Sequence, residues 1–390
     1  MKSSELQSPK GSKAMKNRCY SVFACVFSLL FIVVPTCGFQ VDDVSTKTLY
    51  DKAVVVKMEA EAIPEDLRDA GFVQKYKVTV KMKTGKYKGK LVQTDIYSEQ
   101  NPLLDLNIKV GDTVIVAYEE SGEELQIDII DRDKGKPLLL LIILFFIAVV
   151  SLGRFKGVKA LISLIFTLVL IFVLMAPLLL KGYSPLISAI LVSILSTTVT
   201  MLIVAGINYK SYSAMIGTLG GVFVAGVLSV LSAAVMRLSG LVGHESIFLQ
   251  SISEQIDLRG ILVCGIIIGA LGAVMDVSIS ISSAITEVRQ ANPNLSLREL
   301  YRAGVNIGRD IIGTMTNTLI LAYAGSSLTM VLLFIGQKSD FPLIRVMNFD
   351  LIASEILRAL AGSIGMLTAI PITALTAAYF NTRGRSGDIS

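Results

Sequence analysis

The sequence predicts an α-helical transmembrane bundle of about eight spans, counting an N-terminal anchor, with a small extracytoplasmic β-barrel-like domain, OB-like or of a similar small-barrel type. Three observations carry this reading. Apolar residues make up 53% of the 390 and charged residues only 17%, with a mean hydropathy of +0.65, which is far from an ordinary soluble domain. Charge is concentrated between residues 40 and 136, while 138 to 380 holds long apolar runs. The basic residues fall in short clusters beside those runs, so the net charge of +5 reads as membrane orientation and not as nucleic-acid binding. The resulting division is 1–39 for a basic head and anchor, 40–136 for the β-rich domain, and 137–390 for a seven-span helical domain with a cytoplasmic C-terminus.

A membrane helix needs about 20 mostly apolar residues. Such stretches fall near 19 to 39, 137 to 153, 159 to 180, 184 to 206, 212 to 235, 260 to 285, 309 to 336 and 351 to 380. Lys10, Lys13, Lys16 and Arg18 precede the first, which predicts a cytoplasmic N-terminus. Alternation then places Arg154, Lys156 and Lys159, then Lys210, then Arg289, Arg298, Arg302 and Arg309, and lastly Arg383 and Arg385 on that same side. Adding or removing one span in the bundle would spoil this agreement, although 137 to 153 is short for a span.

The first stretch reads as an uncleaved anchor in the cytoplasmic membrane. Its alternative is a signal peptide ending near Pro35-Thr36-Cys37-Gly38, disfavoured because the apolar run from Cys19 exceeds a usual signal core. Cys19, Cys25 and Cys37 lie in or beside this stretch and Cys264 in a later one, so they read as small apolar residues and not as a disulfide framework or a metal site.

Within 44 to 133, five β-favouring runs stand between polar breaks: Ala53 to Lys57, Tyr76 to Lys81, Lys90 to Gln93, Thr113 to Val116, and Leu125 to Ile130. The turn Lys109-Val110-Gly111-Asp112 before a Val-rich strand suits the closure of a small barrel. Lys81, Lys83, Lys86, Lys88 and Lys90 straddle Gly85 and Gly89, which predicts a solvated hairpin whose charge discourages edge pairing. Contact with anionic lipid or cell-wall polymer is the alternative.

In the span from 260 to 285, Gly265, Gly269, Gly272, Asp276, Ser280, Ser283 and Glu287 recur at helical spacing and share one face. Gly265 with Gly269 has the small-xxx-small spacing of closely packed membrane helices. An ionised Asp276 near mid-span is costly against lipid, so it is expected to face the bundle interior, a partner or water. Val277 to Ser282 alternates with period two. That pattern leaves two readings, a local helix break lining an ion or substrate site and serines that bond the preceding turn in a tight interface.

The next span carries Asp310, Gly313, Asn317, Ala324 and Ser327 near one face, with Asn317 deepest. In the last, Glu355, Ala359, Gly362, Met366, Ala369 and Thr373 share a face, Arg358 is placed to pair with Glu355, and Pro371 predicts a kink. Gly217, Gly220, Gly221 and Gly226 mark a further packing face. The helix-packing candidates are thus Gly217, Gly221, Gly265, Gly269, Gly272 and Gly362. His244-Glu245, Glu254 and Asp257 lie in an outer loop that reads as an interfacial helix, since one His with scattered carboxylates lacks zinc-ligand spacing.

The segment Gly269-Ala-Leu-Gly-Ala-Val-Met-Asp-Val-Ser-Ile-Ser-Ile-Ser-Ser283 resembles the YibE/F family of bacterial integral membrane proteins. So do Gly308-Arg-Asp-Ile-Ile-Gly-Thr-Met-Thr-Asn-Thr-Leu-Ile-Leu-Ala-Tyr-Ala-Gly325 and the span from Asn348-Phe349-Asp350 through Glu355 to Pro371. The resemblance covers roughly residues 130 to 380. It implies a multi-pass membrane protein and carries over no catalytic residues.

No nucleophile with a base, metal cluster or phosphate loop is present in a coherent arrangement, so no enzyme and no cofactor is expected. An intramembrane aspartyl pair of Asp276 with Asp310 is disfavoured by the position of Asp310 near the cytoplasmic end. The leading expectation is passage of a small solute or ion, with Asp276 as titrating carboxylate and Ser278, Ser280 and Asn317 lining the path. The second is an accessory or scaffold protein whose β domain holds an extracytoplasmic protein partner.

Overall fold

The computed structural model describes residues 49–63, 72–99, 108–118, 127–252, 256–336 and 342–383. The basic head, the anchor at 19 to 39 with its three cysteines, Glu254 and Arg385 lie outside these residues. The chain forms two compact units, Gln40–Ser151 and the part from Leu152 onward.

The first unit is an antiparallel half-barrel of β1 (Leu49–Glu61), β2 (Phe72–Met82), β3 (Leu91–Glu99), β4 (Thr113–Tyr118) and β5 (Ile127–Arg132), in the order β3-β2-β1-β4-β5. Each overlaps one of the five predicted runs. Alternate residues turn inward, as a half-buried strand requires, so Val55, Val78, Val80, Met82, Val114, Val116 and Ile127 form its core. The register slips between Val55 and Lys57, leaving the intervening Val56 exposed as a β-bulge. The two edge strands meet where Thr94 Oγ1 donates to the Ile127 carbonyl at 2.7 Å. Gly111 sits at φ +95° in the predicted turn, which only glycine adopts readily.

Helix α1 (Gly135–Leu180) is 46 residues long, more than twice the about 20 residues that one span needs. It joins the two predicted stretches 137 to 153 and 159 to 180, and departs from helical geometry at Arg154, with φ 47° and ψ −131°. A π-turn at Leu170–Met175, in which the Ala176 N–H donates to the Ile171 carbonyl, directly precedes Pro177, which has no N–H to continue the helical ladder. Then follow α2 (Pro185–Val204), α3 (Tyr209–Val235), the short α4 (His244–Ile252) and α5 (Leu258–Ala291). Helix α6 (Leu297–Ser326) and α7 (Leu328–Gly336) are bent by 61°, α8 (Leu343–Met347) is brief, and α9 (Asp350–Arg383) runs helically through Pro371.

Among the described residues, 5 helices are long and apolar enough to cross a membrane, or 6 with the bent α6–α7 pair. This is fewer than the eight stretches read from the sequence, because the first falls outside the described residues and α1 merges the next two.

The core of the second unit lies between α3, α5 and α9. Helix backbones meet where glycine stands in for a side chain: a Cβ on Gly221 would be 2.6 Å from the Gly365 carbonyl, and one on Gly365 would be 2.7 Å from the Gly221 carbonyl. Gly217 similarly receives Thr373 and Ser278. Capping fixes the helix starts. Asn208 accepts from Ser211 N at 2.9 Å, Asp257 accepts from Gly260 N at 2.8 Å, and Ser296 with Glu299 forms a capping box.

Candidate functional site in the helical bundle

Helix α5 is continuous through Val277–Ser282, so the local break is not formed. The reason is visible in its hydroxyls. Ser283 Oγ donates to the Ile279 carbonyl at 2.7 Å and Thr286 to the Ser282 carbonyl at 2.8 Å, while Ser282 Oγ reaches the Lys210 carbonyl of α3 at 2.8 Å. Serines that bond a turn or a neighbour satisfy the helix and leave it intact.

The predicted stripe stays on one face, but that face points outward. Val263, Ile267, Val274, Val277, Ile281 and Ile285 are buried, whereas Gly269, Gly272, Asp276 and Ser280 are exposed. Gly272 has nothing within 4 Å of where a Cβ would stand. Gly265 and Gly269 admit side chains and not a helix backbone: Arg358 Nη1 lies 3.5 Å, and Tyr323 Oη 2.8 Å, from their would-be Cβ positions. Arg358 Nε stands 3.6 Å from Glu355 Oε2, so the predicted pair forms. Gly362 is filled by Leu319 at 3.3 Å. Of the packing glycines, then, Gly221 brings the backbone of α3 against that of α9, Gly217, Gly265, Gly269 and Gly362 receive side chains, and Gly272 is open.

The proposed path residues divide. Ser278 is fully buried, faces Gly217 on α3, and its Oγ has no hydrogen-bond partner among the described residues. Asp276 and Ser280 lie across α5 from it. No hydrogen bond or ion pair engages the Asp276 carboxylate among the described residues. Asn317 and Asp310, on α6, are exposed as well.

Helices α5 and α6 pack antiparallel. Gly304 meets Ile285, Gly308 meets Ile281, and Tyr323 meets Gly269. Interpolating along this ladder puts Asp276 opposite residues near Gly313, with Asn317 and Asp310 each about one turn away, roughly 5 Å along the axis. Asp310 is closer to the level of Asp276 than a span starting at 309 implied, because α6 already begins at Leu297. The signal for that start is in the sequence: Ser296-Leu-Arg-Glu299 is a capping box.

Cys264 is buried against Met175, Sγ to Sδ 3.5 Å, in keeping with an apolar packing role. Among the described residues no group of three or more His, Cys, Asp or Glu is placed to hold a metal ion.

Outside the bundle, the β unit holds its charges in defined pairs. Lys75 bridges Asp95 at 2.7 Å and Glu61 at 3.3 Å, and these carboxylates raise its pKa. Asp133 is held below the usual carboxylate range by the hydrogen bond from Lys52 at 2.9 Å and then by the Gly135 N–H.

The family model of YibE/F-like proteins matches residues 141–383, more than half of the chain. The chain belongs to the YibE/F family. The YibE/F family N-terminal domain matches residues 50–132, which is the half-barrel. No curated relative and no solved structure matches the chain. Membership in the YibE/F family accounts for both units and for the apolar helices of a membrane protein, and it brings no site residues with it.

Proposed function

We propose that this YibE/F chain is a non-enzymatic, multi-pass membrane permease for a small solute or ion, with Asp276 as its intramembrane carboxylate. The observation that carries the reading is Asp276 itself: exposed, without a hydrogen-bond or ion-pair partner among the described residues, and the lone charge between Arg259 and Glu287 on α5. A carboxylate at that depth is too costly to keep against acyl chains without a role or a covering group. Ser280 on the same face and Asn317 and Asp310 at neighbouring depth on α6 extend the polar surface along which a solute or ion moves. Ser278, the remaining path candidate, lies on the opposite side of α5, against Gly217.

The topology that goes with this reading has eight spans, with both termini in the cytoplasm and an OB-type domain outside the cell membrane. The strand order and the Thr94–Ile127 closure support the OB type. The departure at Arg154 supports two spans within α1, turning beside Arg154, Lys156 and Lys159.

A second reading, an accessory protein whose β unit binds an extracytoplasmic partner, is favoured by the compactness of Gln40–Ser151 as a unit of its own. Proteoliposomes containing a pH-sensitive dye, challenged with a panel of cations and small solutes, separate the two. Permease activity appears as flux lost in Asp276→Asn and partly kept in Asp276→Glu. Flux equal to wild type in Asp276→Asn removes the carboxylate from the mechanism.

A further inference from the structure

The half-barrel has two ends, and one of them leads directly into α1. β5 finishes at Arg132, Asp133 N donates to the Thr113 carbonyl at 2.8 Å, and the helix starts at Gly135. The β2–β3 hairpin closes at this same end. Lys83 N donates to the Lys52 carbonyl at 2.7 Å, Lys52 N donates to Thr84 Oγ1 at 2.8 Å, and Lys52 Nζ pairs with Asp133 at 2.9 Å. The hairpin is therefore bonded through β1 to the residue two before the helix. Beyond it, Leu138, Leu139, Leu140 and Leu141 are 55%, 57%, 67% and 64% exposed, as lipid-facing residues are.

From Lys81 to Thr94 the chain holds five lysines and no acid. Among the described residues, Asp112 pairs with Arg132, Asp131 with Lys134 and Asp133 with Lys52, while Asp51 lies against the hairpin at Gly85 and accepts from Thr84 and Tyr118, one acid beside five lysines. Lys83, Lys88 and Lys90 are exposed and take part in no ion pair among the described residues. Tyr87 lies between them, with Lys90 Nζ stacked 5.6 Å from its ring.

We propose that this hairpin docks on anionic phospholipid headgroups at the surface of the membrane that α1 enters. Lysines beside a membrane-entering helix are attracted to an anionic surface, and Tyr87, packed edge-to-face on Tyr118 of the core, fixes the hairpin that carries them. Edge protection alone explains charge on a hairpin, but not its placement at the end from which the apolar helix leaves. Docking here orients the half-barrel on the bilayer whichever solute or partner the protein serves.

The test uses the full chain in nanodiscs of phosphatidylcholine, with or without phosphatidylglycerol, and reads lysine acylation rates site by site. With phosphatidylglycerol, Lys83, Lys88 and Lys90 react about fivefold more slowly and recover in high salt. Lys57, paired with Glu59 in the far half of β1, is unchanged. Equal rates in the two discs overturn the proposal, as does equal slowing at Lys57. A Lys83→Gln/Lys88→Gln/Lys90→Gln variant leaves the core and the Lys52–Asp133 pair intact, and the slowing at the remaining Lys86 disappears. Its persistence there assigns the effect to another surface. Protection by a soluble polyanion but not by phosphatidylglycerol discs replaces the lipid with a polymer partner and likewise refutes docking.

Discussion

Gly221→Ala puts a methyl group where α3 and α9 touch. Its Cβ would stand 2.6 Å from the Gly365 carbonyl oxygen and 2.8 Å from both Ala369 Cβ and Val274 Cγ1. Carbon contacts are comfortable at about 3.5–4.0 Å, so α3 has to retreat from α9 by roughly 1 Å. The nearest obstacle is backbone, and no rotamer change relieves it. Overpacking of this kind costs about 1–3 kcal/mol, and the better helix propensity of alanine offsets about 1 kcal/mol. The net expectation is a loss of up to about 2 kcal/mol, or up to roughly 4–8 °C in Tm for a unit of this size. Gly313→Ala is the control, because nothing lies within 4 Å of its would-be Cβ. It keeps only the propensity gain and melts at or slightly above wild type. Thermal unfolding in mild detergent, followed by helical ellipticity, compares the two. Equal shifts in the same direction would refute the close approach of α3 and α9.

Two buried serines one turn apart on α5 are expected to answer differently to alanine. Ser282→Ala removes the hydrogen bond to the Lys210 carbonyl and costs about 1 kcal/mol, whereas Ser278→Ala removes a hydroxyl without a partner and is neutral or stabilising by up to about 1 kcal/mol. A marked loss in Ser278→Ala, in the same melting assay, would show that its hydroxyl serves a bound group. The β unit is acid-sensitive through Asp133, whose folded pKa is depressed by Lys52 and the Gly135 N–H. Its contribution is present above the unfolded carboxylate value of about 3.9 and is lost as pH falls through the lower folded value. Thermal unfolding followed by tyrosine ellipticity in the full chain shows a falling midpoint below pH about 4, and Asp133→Asn flattens that slope. An unchanged slope in the variant would assign the acid sensitivity elsewhere.

The five strands were legible because alternation and turn chemistry are local: Val78, Val80 and Met82 face inward by period two, and Gly85, Gly89 and Gly111 mark the turns with positive φ. Helix existence was legible from apolar length. The departure at Arg154 was legible as well, since Gly153 precedes it and the basic cluster Arg154, Lys156 and Lys159 separates the predicted stretches 137 to 153 and 159 to 180. The start of α6 was readable from its capping box but was obscured by the Arg298, Arg302 and Arg309 that follow, which look like a loop to a hydropathy scan.

The sequence by itself determined that Gly265, Gly269, Gly272, Asp276 and Ser280 share a face of α5, because helical periodicity is set by the backbone. Only the tertiary structure decided which way that face points. In water, burial of apolar surface would turn the polar stripe outward, but in a bilayer the acyl chains are as apolar as leucine and give no such bias. Orientation then follows from packing: the isoleucines and valines of α5 interlock with α3, α6 and α9, and Asp276 is left on the open side. The same holds for the basic hairpin. Its charge was evident from five lysines, and its place beside the start of α1 depends on the antiparallel register that brings Lys52, Lys83, Thr113 and Asp133 to one end of the sheet.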